Sequence, residues 1–472
     1  MTIETTHIPS RHKIIAINIS AHQVILNRKT TLKNILPLLK LKKIQANPIE
    51  ALQTMKKLDE ILNKKGTKEI SRRSKINKIA KAISRILDAT PTPDSSGHDI
   101  DAVNDLKSKT LQILDKTGNK YYTLLNKKKI EHTLLLKKLN AWCNEAGISE
   151  VQHTARSTAK RRIESAYCKD STDLNLATLD LTSLPTGVFK FLPKLTGLNL
   201  MGNKLETLPK GAFTGLSALI SLDLSFNKLE TLPKGAFTGL SALNTLNLMG
   251  NLITTLPKGA FTGLSALSTL NLRGNLITTL PKGAFTGLSA LSTLNLSANK
   301  LETLPEGAFT GLSALSTLDL SDTQLTTLPA GAFMDLSALV TLDLSVNKLT
   351  TLRAEAFMGL STLVTLDLSI NRLTSLTPEV FKFLPKLTCL NLQGNHLETL
   401  PEKAFACLPA LITLDLSFNL FKPLPEGAFA CLPDLITLYL HGNPSATFPQ
   451  EVFTGSSTLR TLGAMAPLQT SC

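Results

Sequence analysis

The sequence predicts an α/β solenoid, a horseshoe with a parallel concave sheet, preceded by a mainly α-helical N-terminal domain. Three observations predict it. From Leu195 onward the pattern L-x-x-L-x-L-x-x-N-x-L returns every 24 residues, with the segment L-P-x-G-A-F-x-G-L between copies. A phenylalanine column keeps the same step, from Phe189 and Phe213 through Phe429 to Phe453. The basic residues crowd into the first part: residues 1–170 hold 33 Lys and Arg against 16 Asp and Glu, whereas residues 171–472 hold 18 against 20. A fixed period of this length is the mark of a stacked array in which no unit buries its apolar face alone.

Each column has a physical role. Leu222 and Leu224 stand two apart, so on a short strand both point to one face while Asp223 and Ser225 point to the other. Stacking the next unit about 4.8 Å away places leucine on leucine and closes a continuous core. Asparagine recurs at 203, 227, 251, 275, 299, 347, 371, 395, 419 and 443. There the chain leaves the strand, and a side-chain amide can satisfy backbone groups at the turn. Leu179 and Thr323 depart from this column; the first belongs to a truncated opening repeat, and a local loosening is expected at the second. All 18 phenylalanines lie after residue 188 and twelve form the one column, so they read as a core spine and not as a stacking platform.

The copies are alike. Residues 189–203 (FKFLPKLTGLNLMGN) and 381–395 (FKFLPKLTCLNLQGN) share thirteen of fifteen positions across eight periods, which points to block duplication. With its leucine, asparagine and phenylalanine columns the chain resembles the leucine-rich repeat family, in the 24-residue form familiar from receptor ectodomains, over about 300 residues. The resemblance implies a horseshoe that binds other macromolecules and needs no cofactor.

Four segments are expected: a disordered leader (1–12), a basic, mainly helical domain (13–170) with a linker at 90–97, about twelve repeats (171–458), and a partial last repeat with a tail (459–472). Ile76, Ile79, Ile83, Ile86 and Leu87 recur at helical spacing among Arg72, Arg73, Lys75, Lys78 and Arg85, a basic amphipathic helix. Similar stretches cover about 49–64, 101–117, 120–143 and 148–168, and TPTPDSSG (90–97) reads as a loop. The helical pattern ending before Asp170 is positioned to close the first repeat. Leu459, Leu462, Met465 and Leu468 show no polar cap at the other end.

The first thirty residues lack an uninterrupted apolar stretch of the secretory type, and no run approaches a membrane span. Six scattered cysteines, without clustered caps, fit a reducing compartment. Cys407 and Cys431 share a column in adjacent repeats and so come within disulfide range, but two buried thiols replacing the usual glycine are the simpler expectation.

Motifs for phosphate loops, dinucleotides, zinc proteases and Ca²⁺ loops are absent, and the eight histidines have no metal-ligand spacing. No cofactor, metal or small-molecule substrate is expected. Cys168 and Asp170 spell C-x-D, which resembles the catalytic motif of bacterial leucine-rich repeat ubiquitin ligases; in that family the motif lies in a large helical domain after the repeats, not before them. The resemblance defines an alternative reading, a ligase using Cys168 with Asp170. A cap residue is the plainer one.

Binding is expected on the concave face. One column there reads Asn199, Asp223, Asn247, Asn271, Asn295, Asp319, Asp343, Asp367, Asn391, Asp415 and Tyr439, explained either by the scaffold or by a ligand. Positions that break the monotony are the candidates for partner contact: Phe226, Arg273, Asp322, Ile370, Gln393, Phe418, Tyr439 and His441. Clusters such as Lys127, Lys128 and Lys129, or Lys160, Arg161 and Arg162, are candidates for anionic membrane or nucleic-acid contact by residues 1–170, against a solvated helical face. The functional expectation is a non-enzymatic scaffold that binds a partner protein. Its layout resembles bacterial effectors delivered into host cells by specialised secretion systems, with action there or in the cytoplasm.

Overall fold

The computed structural model describes residues 120–422, 424, 426–444, 450–453 and 458–463. The helices expected at 49–64, 72–87 and 101–117, the leader and the loop at 90–97 lie outside the described residues. Two helices are described, α1 (Lys120–Cys143) and α2 (Glu150–Lys169). Ser149 caps α2 by accepting from the Gln152 N–H. Asp170 ends it in the left-handed region (φ 50°), where the Ser171 N–H reaches back to Ala166 O at 2.9 Å. The repeats belong to a compact unit that begins at Lys137, so the end of α1 and all of α2 belong with them.

The repeats form one parallel sheet of thirteen three-residue strands in chain order. These are β1 (Asp173–Asn175), β2 (Gly197–Asn199), β3 (Ser221–Asp223), β4 (Thr245–Asn247), β5 (Thr269–Asn271), β6 (Thr293–Asn295) and β7 (Thr317–Asp319), then β8 (Thr341–Asp343), β9 (Thr365–Asp367), β10 (Cys389–Asn391), β11 (Thr413–Asp415), β12 (Thr437–Tyr439) and β13 (Thr461–Gly463). The register is the sequence period itself: Leu222 pairs with Leu246, and Leu246 with Leu270. In most strands, as in β4 and β5, the central leucine is buried while its neighbours are half-buried, the alternation of a sheet with one covered face.

The asparagine column closes the strand ends. Asn275 Nδ2 donates to Leu248 O (3.0 Å) in the preceding repeat and to Leu272 O (2.9 Å) in its own, and its Oδ1 accepts from the Ile253 N–H (3.1 Å). One side chain thus satisfies three backbone groups across two repeats. Thr323 does not loosen the array as expected. It is fully buried, its hydroxyl donates to Leu320 O (2.9 Å), and its N–H reaches Asn347 Oδ1 (3.2 Å). The hydroxyl serves its own repeat and the following one but, unlike the amide at the other positions, does not reach a carbonyl of the preceding repeat. Thr323→Asn is therefore expected to raise stability by about 1 kcal/mol, the worth of one added internal hydrogen bond, read from denaturant melts. An unchanged or lowered midpoint would refute this account.

Behind the sheet the phenylalanines stack with ring centroids 6.0 to 6.4 Å apart, from Phe189 to Phe333 and again from Phe357 to Phe453. Between the two runs, Arg353 and Glu355 stand where other repeats carry proline and glycine, and a 3₁₀ turn (Ala354–Phe357) replaces the usual one. Glycine at that second position holds a positive φ elsewhere, as at Gly235 (φ 70°), which glutamate avoids.

The N-terminal end is closed by helix. Ala159, Ile163 and Ala166 of α2 are buried, and α2 packs on β1. Arg156 donates to Trp142 O (2.5 Å), Glu145 (2.6 Å) and Ser183 Oγ (3.0 Å), while Gln152 donates to Asp180 O (2.6 Å). Cys407 and Cys431 are free thiols as expected, yet part-exposed and not buried, because their column lies on the outer turns. Cys389 is disulfide-bonded, which departs from the expectation of reduced cysteines.

Candidate protein-interaction surface

The strands end in two kinds of turn, and the residue pairs that build them vary together. Where serine follows the second leucine, its N–H donates to the acidic or amide side chain two residues earlier, and in four repeats its hydroxyl does so too. Ser225 binds Asp223 in this way (2.9 and 2.6 Å), as do Ser321 with Asp319 (3.0 and 2.6 Å), Ser417 with Asp415 (2.8 and 2.5 Å) and Ser297 with Asn295 (2.9 and 2.7 Å). Where a larger residue replaces serine, asparagine accepts the backbone bond alone: Met249 to Asn247 (3.1 Å), Arg273 to Asn271 (3.0 Å) and Gln393 to Asn391 (3.0 Å). Carboxylate stands only before serine, a residue with a second donor to offer, whereas Met, Arg and Gln follow an amide. The Asn and Asp ladder is, in this sense, part of the scaffold.

The next residue adopts a left-handed conformation. It is glycine after the large residues, but Phe226 (φ 53°), Asp322 (φ 52°), Ile370 (φ 53°) and Phe418 (φ 52°) after serine. Four of the eight predicted contact residues therefore share one column, exposed along the rim where the chain leaves the sheet. Arg273, Gln393 and His441 occupy the column just before it, and only Tyr439 lies on a strand. The large rim residues need space in the following repeat: a Cβ on Gly250 would come within 2.7 Å of the Phe226 ring, and one on Gly442 within 2.5 Å of the Phe418 ring. Phe418, Tyr439 and His441 form one aromatic cluster, with Phe418 and His441 centroids 5.0 Å apart and Tyr439 and His441 6.3 Å apart. Ile370 and Gln393 are joined by a backbone bond, Ile370 N–H to Gln393 O (2.7 Å). Phe226, Arg273 and Asp322 sit in other repeats along the same rim.

A second rim escaped the sequence reading. Immediately before the strands, Ile220, Val340, Ile412 and Ile436 are exposed where other repeats carry Asn244, Ser268, Ser292 and Ser316. With Val346, Ile370 and Phe418 opposite, these side chains are 40 to 55 % exposed, and all but Ile220, which precedes β3, flank the sheet from β8 to β12. Column-by-column reading of the position before each strand would have found them.

Between the rims, Asp319, Asp343 and Asp367 stand in register. Asn295 Nδ2 donates to Asp319 (2.8 Å) and Asn391 Nδ2 to Asp367 (3.0 Å), whereas Asp343 lies between two carboxylates. Burial pushes the Asp343 carboxyl above its usual range, and the charges of Asp367 and Asp319 add to this, against the opposing bonds from Ser345. A pKa raised by folding favours the protonated form: that contribution is full below the ordinary carboxylate range and is lost as pH rises through the raised value. Asp343→Asn, which keeps the acceptor as Asn295 does, should therefore raise stability at neutral pH by about 1 kcal/mol. The gain should vanish in melts at pH below the usual aspartate range; a pH-independent gain would contradict the titration account.

The C-x-D pair has structural employment. Asp170 caps α2, and its carboxylate pairs with Lys194 at 3.3 Å. Cys168 is an exposed thiol on the last turn of the helix. Of the basic cluster beside it, Lys160 donates to Asn140 (2.6 Å) and Arg162 to Asn175 O (3.0 Å), so both serve the cap. Among the described residues no group of His, Cys, Asp or Glu is placed to hold a metal ion, and no helix is long and apolar enough to cross a membrane.

Comparison with known proteins agrees with this geometry. The leucine rich repeat family pattern matches residues 172–229, 219–277, 265–325, 313–373, 361–421 and 388–444. No curated protein matches the chain. Among solved structures, a leucine-rich repeat protein of Leptospira interrogans is 29% identical over 63% of this chain and 85% of its own, with a TM-score of 0.44. The octameric complex of Latrophilin 3, Unc5D and FLRT2 (LRR) contains a chain 26% identical over 63% of this one and 92% of its own, with a TM-score of 0.55. The Drosophila Toll–Spatzle complex contains one 24% identical over 60% and 41%, with a TM-score of 0.50. The repeats that build the sheet, matched over more than half of the sequence, make this chain a member of the leucine-rich repeat family.

Proposed function

We propose that this protein is a non-enzymatic interaction scaffold whose partner protein seats on the concave sheet between β8 and β12. The observation that carries the reading is the concentration of exposed apolar side chains there: among the described residues, six of the twelve large ones, Val340, Val346, Ile370, Ile412, Phe418 and Ile436, flank these strands. Apolar rims around a half-buried Thr and Asp floor resemble a protein-binding patch, in which large side chains supply the area. The acidic floor favours a partner that presents lysine or arginine between apolar groups. The FLRT2 chain, similar in fold, is part of a complex with two other proteins, which supports a protein ligand. The basic leader running directly into the repeats supports the finer reading, a bacterial effector acting in a host cell.

The test uses the full chain with photo-crosslinking residues at Val340, Ile370 or Ile412, compared with Thr238 or Thr286 on the outer turns. Adducts confined to the concave positions are expected. Ile370→Asp with Phe418→Asp should weaken the captured complex by roughly a hundredfold or more, at about 2 kcal/mol for each lost anchor. Equal adducts on the outer turns, or binding within twofold after the double substitution, would sink the assignment.

A further inference from the structure

The repeats are electrically divided in a way the partner surface does not use. Between Glu230 and Glu302 the chain holds no Asp or Glu, while Lys234, Lys258, Arg273, Lys282 and Lys300 fall in that interval. Lys210, Lys234, Lys258 and Lys282 occupy one column of four successive repeats, in the turn P-K-G-A-F-T. All four are exposed, and among the described residues none is in an ion pair. The rings three residues further on, Phe213, Phe237, Phe261 and Phe285, stack 6.2 Å apart and carry the turns at that spacing. The scaffold does not demand lysine here, because the same column reads Glu306, Ala330, Ala354, Glu402 and Glu426 in later repeats.

We infer that this outer edge is a second binding surface, which takes a linear sulfated polysaccharide along the lysine row. A file of like charges at one per repeat has no internal partner, and a polymer with regularly placed anions neutralises all of it at once. Release of the polymer's counterions supplies the affinity. Nucleic acid fits less well, since the phenylalanines at this edge, Phe213, Phe237, Phe261 and Phe285, are buried and offer bases no stacking platform. The site also presents ammonium groups and not guanidinium forks. A bilayer fits less well because the Lys-Gly-Ala-Phe-Thr turns carry no exposed large apolar side chain to insert. Exposed Thr214, Thr238, Thr262 and Thr286 stand four residues after the lysines and offer one hydroxyl per repeat to a polyhydroxylated chain.

The test is fluorescence anisotropy of a labelled heparin oligosaccharide with the full-length protein across a salt series. Two row variants are compared: Lys210, Lys234, Lys258 and Lys282 all changed to Gln, and the same four changed to Glu. A third variant, Lys127→Glu, Lys128→Glu, Lys129→Glu, controls for the basic N-terminal part. Circular dichroism melts confirm that each folds. The expected result is a loss of at least thirtyfold in both row variants and a plot of log affinity against log salt shallower by about 3, with less than threefold loss in the control. Binding within threefold of wild type in the Gln row variant overturns the inference, as does loss in the N-terminal control alone. Tighter binding to a single-stranded oligonucleotide or to anionic vesicles, abolished by the same row variants, overturns the polysaccharide and reassigns the edge to that ligand.

Discussion

Replacing Asn275 with alanine is expected to destabilise the centre of the solenoid by about 3 kcal/mol or more. The side chain holds Leu248 O, Leu272 O and the Ile253 N–H, and it is buried, so alanine leaves the Ile253 N–H without partner or water and strips one of two amide donors from each carbonyl, which keep Asn251 and Asn299. Each unsatisfied buried group costs about 1–3 kcal/mol, and the smaller side chain adds a void. Asn275→Asp separates the contributions. It keeps an acceptor for Ile253 but turns a carboxylate toward two carbonyl oxygens, so it should be at least as damaging at neutral pH and recover in part in acid. Because repeats interact mainly with their neighbours, the loss should appear as faster amide exchange across β4 to β6, with β1 and β11 little changed. Protection at Ile253 equal to wild type in the alanine variant would show that the amide is dispensable.

The second large effect is expected at the N-terminal cap. Arg156 is almost fully buried and joins Trp142 O, Glu145 and Ser183, with its guanidinium 5.2 Å from the Trp142 ring centre. Arg156→Ala removes the donor that satisfies Trp142 O and one of the two that reach Ser183 Oγ, which keeps the Trp142 indole N–H, and leaves space beneath the indole, a loss of about 2–3 kcal/mol. Glu145 is mostly exposed and returns to water, so its ion pair adds little to that figure. Lysine should not rescue the variant, since one ammonium cannot reproduce the planar fork. Exchange should accelerate in α2, β1 and β2 while β5 and beyond keep their protection. Unchanged protection at Leu174 and Leu176 would remove the cap from the list of stabilising elements.

Much of the scaffold is legible in the amino-acid order alone. Leucine at 222, 246 and 270, asparagine at 251 and 275 and phenylalanine at 237 and 261 recur at one step, and parallel pairing in that step places like on like. The contact candidates are legible only as departures from the repeat. That Phe226, Asp322, Ile370 and Phe418 share a left-handed column, with serine before each and glycine after each large neighbour, is also written in the sequence, but only a rule about turns extracts it. Thr323 misleads because a broken pattern looks like a weakness, whereas Asn347 turns its amide oxygen to meet it. Lys160 and Arg162 read as free cations because their acceptors, Asn140 and Asn175, are 20 and 13 residues away.

The sequence by itself determined the period, the parallel register and the core, since these follow from side chains repeating at the spacing at which strands stack. Only the tertiary structure decided which variable positions meet as a surface. The rings of Phe226 and Phe418 lie against the glycine one repeat later, Gly250 and Gly442, a fit that neither repeat shows alone. A pair separated by 24 residues is adjacent only after the coil has closed, so two apolar rims around an acidic floor become one site at that step and not before.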